Sequence, residues 1–187
     1  MKLKKIIALT LTVLMLLPLV ACGGTTGGGE TGGEVTGEVY DAGEVSALVP
    51  TGWKAFPQHD VFSSDANAML TDVINICKGG ESDMDLFSKP YIRFDFGGPD
   101  KDLYMTDKDF YDNVQDLEPI TTGEHTWNGF SGESLGTKLV VLFCEEGDIQ
   151  YQATLFTEPA SGKISLEDAD VLAILASVAP TGEAAAS

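Results

Sequence analysis

Few side chains in this 187-residue sequence could act as nucleophiles, imidazole bases or soft metal ligands: three cysteines (Cys22, Cys77 and Cys144) and two histidines (His59 and His125). Gly129-Phe130-Ser131-Gly132 begins like a nucleophile elbow, but Gly-x-Ser-x-Gly needs glycine where Glu133 stands. A serine nucleophile also needs a base. His59 follows Pro57-Gln58, and His125 stands beside Trp127 in an expected strand, so both read as structural or surface residues. No Ser-x-x-Lys motif occurs. The histidines are far apart and outside any His-x-x-x-His spacing, and no Cys-x-x-Cys pair is present, which argues against zinc and redox motifs. Glu81, Asp83 and Asp85 alternate in one acidic segment, and Asp100, Asp102, Asp107 and Asp109 flank another. Neither has the glycine and terminal glutamate of an EF-hand, so solvated loop acids are expected, with low-affinity calcium as the alternative. Acids are too numerous for any glycosidase-like carboxylate pair to stand out. Trp53 and Trp127 read as packing anchors. No catalytic residue, metal ligand or cofactor is therefore assigned.

The cysteines carry a different chemistry. The chain opens Met1-Lys2-Leu3-Lys4-Lys5, a basic start, and runs on from Ile6 to Val20 as an apolar stretch shorter than the roughly 18 or more residues of a membrane span. It ends Leu19-Val20-Ala21-Cys22. This resembles the lipobox of bacterial lipoproteins. The resemblance implies cleavage before Cys22, diacylglycerol on its sulfur, and a mature chain lipid-anchored to the cell membrane on the extracytoplasmic face. Each buried acyl methylene contributes about 0.8 kcal/mol of membrane affinity, and two or more chains anchor stably. Export would permit a disulfide. Joining Cys77 to Cys144 would close a loop of about 67 residues and stabilise by roughly 4 kcal/mol through chain entropy. The alternative is two buried free thiols.

Charge narrows the partners. Lys and Arg number 11 and Asp and Glu 29, a formal charge of −18. Three of the lysines lie in the first five residues, so the chain beyond residue 21 carries 8 basic and 29 acidic side chains, near −21. That charge repels phosphates and argues against nucleic acid. It suits a dispersed extracytoplasmic protein with cationic partners.

Several elements must position whatever site exists. Residues 1–21 read as a signal peptide. Residues 22–38 read as the lipidated cysteine and a Gly-rich tether, whose 16 residues from Gly23 to Glu38 would span roughly 20–24 Å. Residues 39–180 read as one domain and 181–187 as a disordered tail. Within the domain, strands are expected at Glu44–Val49 and Tyr91–Phe96, and Val73–Cys77 reads as a strand with a helix-period reading as the alternative. Further strands fall within Glu124–Phe130, Ser131–Cys144 and Ile149–Thr157, with turns at Pro50-Thr51-Gly52, Asn128-Gly129 and Glu145–Asp148. Helices are expected at Ser64–Leu70, at Thr106–Leu117, and from a Ser165 cap to Pro180, the last burying Leu166, Val171, Leu172, Leu175 and Val178. This order predicts an α+β fold with helices flanking a mostly antiparallel sheet.

Three motifs sharpen that expectation: Val49-Pro50-x-Gly52-Trp53, Trp127-Asn128-Gly129, and Ile174-Leu175-Ala176-Ser177-Val178 near the end. Together they resemble the Mog1/PsbP-like α/β/α sandwich, found in many small bacterial lipoproteins. Lys78-Gly79-Gly80 and Lys89-Pro90-Tyr91-Ile92 also look like segments of uncharacterised lipoproteins from Gram-positive anaerobes. The resemblance implies a non-enzymatic binding or accessory module acting on an envelope protein or other ligand, and a monomer is the default expectation. It supplies no site residues. The alternatives are a small-ligand or calcium-binding receptor and, further off, a carboxylate-based hydrolase.

Overall fold

The computed structural model describes residues 35–99, 101–182 and 185. Residues 1–34, which include the signal-like segment, Cys22 and most of the Gly-rich tether, lie outside the described residues, as does Asp100. In chain order the strands are β1 (Gly37–Asp41), β2 (Val45–Pro50), β3 (Trp53–His59), β4 (Met69–Lys78), β5 (Tyr91–Gly97), β6 (Asp112–Thr122), β7 (His125–Ser134), β8 (Thr137–Glu146), β9 (Ile149–Phe156) and β10 (Ala179–Pro180). One α-helix is found among the described residues, α1 (Ala169–Ser177).

Strict alternation makes β5. Ile92, Phe94 and Phe96 are buried on one side, and Tyr91, Arg93 and Asp95 are half-buried on the other. Because side chains in a strand alternate in direction, one pleated segment can serve two environments. β5 lies in an antiparallel seven-stranded sheet of order β3-β4-β5-β9-β8-β7-β6. Its registers, Ile76 to Ile92 to Leu155 and Ile74 to Phe94 to Ala153, stack apolar side chains across neighbouring strands. The apolar face is covered by α1 through Val171, Ile174 and Leu175 and by β2 through Val45 and Ala47. β2 itself is the middle strand of a small sheet, β1-β2-β10. The opposite face carries a smaller cluster of Phe130, Leu139 and Val141 against Tyr111, Val114 and Phe143. There the β5–β6 connection is pinned by Gln150 and Gln152, whose side-chain oxygens accept from the backbone N–H groups of Leu103 (3.0 Å) and Thr106 (2.9 Å).

The fold is thus a sheet-rich α+β arrangement, and among the described residues a helix covers one face of the sheet where helices on both were expected. The helix expected over Thr106–Leu117 is a short 3-10 turn at Lys108–Phe110, capped by Asp107, followed by β6. Its expected apolar stripe of Phe110, Val114 and Leu117 is divided: Phe110 is exposed, Val114 packs with the Phe130 cluster and Leu117 with the main core on the other face. β6 shifts register between Asp112 and Gln115 and between Leu117 and Ile120, with one extra residue each time. Asn113 at φ 54° lies within the first irregularity. The helix expected over Ser64–Leu70 is a set of turns running into β4. Asn128-Gly129 is the interior of β7, paired with Phe143 and Leu142. The hairpin turn lies at Leu135-Gly136, both at positive φ (51° and 79°), the signature of a two-residue type I′ loop. Ser165 and Asp168 do bond each other, but as a turn preceding α1. In α1 Ile174 is buried and Leu172 only half so. The domain limits also move outward. Gly37 and Glu38 belong to β1, and Thr181 is held by the Glu44 carbonyl (2.8 Å) and the Asp41 carboxylate (2.9 Å).

Candidate functional site

Cys144 and Glu146 alternate on β8, and the pleat sends both side chains toward the same face. β7 runs antiparallel beside them, with Asn128 opposite Phe143. Continuing that register by three residues sets His125 across from Glu146. His125 Nδ1 lies 2.7 Å from Glu146 Oε1 and 3.9 Å from Cys144 Sγ, and Cys144 Sγ is 3.6 Å from the same carboxylate oxygen. The other ring nitrogen, Nε2, is 2.8 Å from the Val178 carbonyl at the end of α1. A carbonyl only accepts, so Nε2 carries the hydrogen of that contact. Cys144 and the imidazole are buried, whereas Glu146 is 39% exposed. The cluster therefore has a wet side and a dry side. Burial, and then the Glu146 charge, push the Cys144 thiol up to about 11, against a Thr126 backbone hydrogen bond. Burial, followed by Glu146 and Cys144, likewise raises the neighbouring Tyr151 phenol. At neutral pH the thiol is thus protonated, and both imidazole nitrogens are engaged. The geometry is not that of a primed cysteine nucleophile, in which the orienting carboxylate takes the nitrogen remote from sulfur.

In the sequence His125 reads as a structural or surface residue, and nothing there joins it to Cys144 and Glu146. Cys144-x-Glu146 was legible as one strand face, but the partner depended on the hairpin register. His59 is exposed at the end of β3. The Cys77–Cys144 bridge does not form: both thiols are free and buried. β5 and β9 intervene between β4 and β8, a separation of roughly 14 Å at about 4.8 Å per strand. A disulfide requires Cα atoms within about 7 Å. Ser131 lies within β7 rather than on an elbow. In the first acidic loop, Asp85 accepts from the backbone N–H groups of Glu81 (2.7 Å) and Ser82 (3.1 Å), which, with Lys89, hold its carboxyl below the usual range. That carboxylate folds its own loop. Trp127 is fully buried, as its role of packing anchor requires.

Trp53 is an anchor with a second role. Its indole N–H donates to Asp170 on α1 (2.9 Å), and the Lys78 ammonium lies 5.6 Å from the ring centre. This fixes one wall of an open groove of about 420 Å³, lined by Glu38, Val39, Tyr40, Thr51, Trp53 and Lys54 among others. The groove runs beside β1 and β3, each the last strand of its sheet and so bearing an unpaired edge.

No family model matches the chain, and no curated protein matches it. A crystal structure of a protein from Bacteroides thetaiotaomicron VPI-5482, at 1.50 Å resolution, is similar over 79% of this chain at 12% identity, with a TM-score of 0.42. The matched region spans about half, 49%, of that protein's length.

Proposed function

We propose that this chain is a lipid-anchored extracytoplasmic lipoprotein whose domain is a non-enzymatic binding or accessory module for a protein of the cell envelope. The observation that carries the binding role is the Trp53–Tyr40 groove. Its volume falls in the range of roughly 300–1,000 Å³ typical of ligand sites. It combines an aromatic wall of Trp53 and Tyr40 with the exposed Glu38 carboxylate, and it borders two free strand edges that an extended peptide could extend. The Leu19-Val20-Ala21-Cys22 segment supports the anchor. The Mog1/PsbP-like assignment belongs to this proposal. It is supported by Val49-Pro50-x-Gly52-Trp53, which forms the end of β2, a turn and the start of β3, and by a final helix packed on the sheet.

The test is in living cells. A photo-crosslinking residue at Lys54 is compared with one at Leu135, a fully exposed turn residue outside the groove. A discrete envelope-protein adduct from position 54 and none from position 135 is expected, together with a diacylglyceryl mass on Cys22. Equal adducts from both positions, or an unmodified Cys22, would sink the proposal.

A further inference from the structure

The structure assigns His125, Cys144 and Glu146 to a three-ligand binding site for a thiophilic divalent metal ion of the zinc class. The donor atoms come from two adjacent strands and lie within 4.8 Å of one another. A tetrahedral zinc ion, with bonds of about 2.3 Å to sulfur and 2.0–2.1 Å to nitrogen and oxygen, sets ligand–ligand edges of roughly 3.4–3.6 Å. The sulfur edges are already close, at 3.9 Å to Nδ1 and 3.6 Å to Oε1. Only the Nδ1–Oε1 edge, at 2.7 Å, must open, by roughly 0.7 Å at that tetrahedral geometry. The Glu146 side chain can supply that movement, because it is the solvent-facing member of the set.

Three further features fit a metal. His125 donates Nε2–H to the Val178 carbonyl, and metal-binding histidines almost always donate their second ring N–H to a carbonyl or carboxylate, which fixes tautomer and ring plane. A neutral imidazole, a thiolate and a carboxylate sum to two negative charges, which a divalent ion neutralises and a monovalent one does not. The mixed sulfur, nitrogen and oxygen set selects against calcium and magnesium, which take oxygen ligands. The exposed side of Glu146 leaves the fourth position to water. The site shares no residue with the Trp53 groove, so it stands or falls independently of the binding role proposed above.

The test uses the full chain in detergent, stripped of metal and titrated with Co(II). The expected result is a thiolate-to-cobalt charge-transfer band that saturates at one equivalent and is displaced by Zn(II) but not by Ca(II). Glu146→Gln, at a partly exposed position, should keep the near-UV dichroism of the parent and weaken cobalt binding at least ten-fold. Cys144→Ser should abolish the band, and Cys77→Ser should leave it intact. Absence of the band at micromolar cobalt, parental affinity in Glu146→Gln, or a band lost with Cys77 rather than Cys144 would each overturn the assignment.

Discussion

His125 ties three elements together with one ring: β7 carries it, β8 supplies Glu146, and the end of α1 supplies the Val178 carbonyl. Removing the ring strands that carbonyl, because Val178 is buried. An unsatisfied buried acceptor costs about 1–3 kcal/mol, and the cavity left in the aromatic pocket of Trp127 and Tyr151 adds to it. Metal-free His125→Ala is therefore expected to lose at least about 2 kcal/mol in urea unfolding. A change under half that size would mean that solvent reaches Val178. Cys77 gives a pH signature. Its pKa is raised, first by burial and then by Asp85, with Lys89 opposing. The folded state thus holds the thiol proton more tightly than the unfolded chain. Stability from this source is complete below about pH 8.5 and is lost as pH rises through the folded pKa. The urea midpoint should fall between pH 7.5 and pH 10, with the raised Cys144 thiol contributing in the same sense, and Cys77→Val should remove part of that fall. An unchanged slope would remove Cys77 as the cause. At this scale, residue types and strand faces were legible in the sequence, but partnerships were not. Placing the hairpin turn at Asn128-Gly129 rather than Leu135-Gly136 cuts β7 in half, and with that register the pairing of His125 with Glu146 disappears.

Elements were readable where one period dominated. β5 alternates from Tyr91 to Phe96 and β9 alternates apolar and polar residues from Ile149 to Leu155, and both strands fall within a residue or two of where the pattern sets them. β6 hides its strand period because an extra residue at each of two irregularities interrupts the alternation, while Phe110, Val114 and Leu117 stand at helical spacing in the sequence. β7 was misread because Asn-Gly is a turn signal only when the chain must reverse there. Gly129 is instead a close-approach glycine: a Cβ at this position would lie 2.0 Å from the Val141 carbonyl oxygen. Gly147, in the β8–β9 turn, has φ 65° and open space around it. The two glycines should therefore respond differently to alanine. Gly147→Ala should cost about 1 kcal/mol, the strain of a left-handed backbone. Gly129→Ala should cost more, about 2–3 kcal/mol, since backbone must move to relieve the overlap. Equal losses in thermal or urea unfolding would show that the β7–β8 pair yields easily. Ser177 makes a comparable point for α1. Its hydroxyl donates to the Ile174 carbonyl and accepts the Leu48 N–H, both at 2.8 Å, clamping the helix end onto β2.

For the whole molecule, charge is the term that no single contact describes. Among the described residues seven of the eight basic side chains lie within 4.0 Å of a carboxylate, and Lys54 at the groove is the exception. Two opposing effects of salt follow. Screening weakens those pairs, but exposed pairs contribute only about 0–1 kcal/mol each. Screening also relieves repulsion among the acids that remain, and with 29 acidic against 11 basic side chains in the sequence, most have no cation to face. At 10 mM ionic strength the Debye length is about 30 Å, long enough for these acids to repel one another across a domain of this size. At 0.15 M it is about 8 Å and the repulsion becomes local. Repulsion should win, so the unfolding midpoint of the full chain should rise between 10 and 150 mM sodium chloride. Chloride and sulfate at equal ionic strength should differ little over that range if screening is the cause. A falling midpoint would mean that the ion pairs, above all the half-buried Arg93–Asp95 pair at 2.6 Å, outweigh the excess of acids. The same field bears on partners. The surface outside the groove is predominantly anionic, so a cationic segment is drawn to the molecule from any direction. Glu38 then gives the groove a fixed anion against which such a segment can be oriented, while the Lys54 ammonium at its wall is held by the Glu81 carbonyl at 2.8 Å.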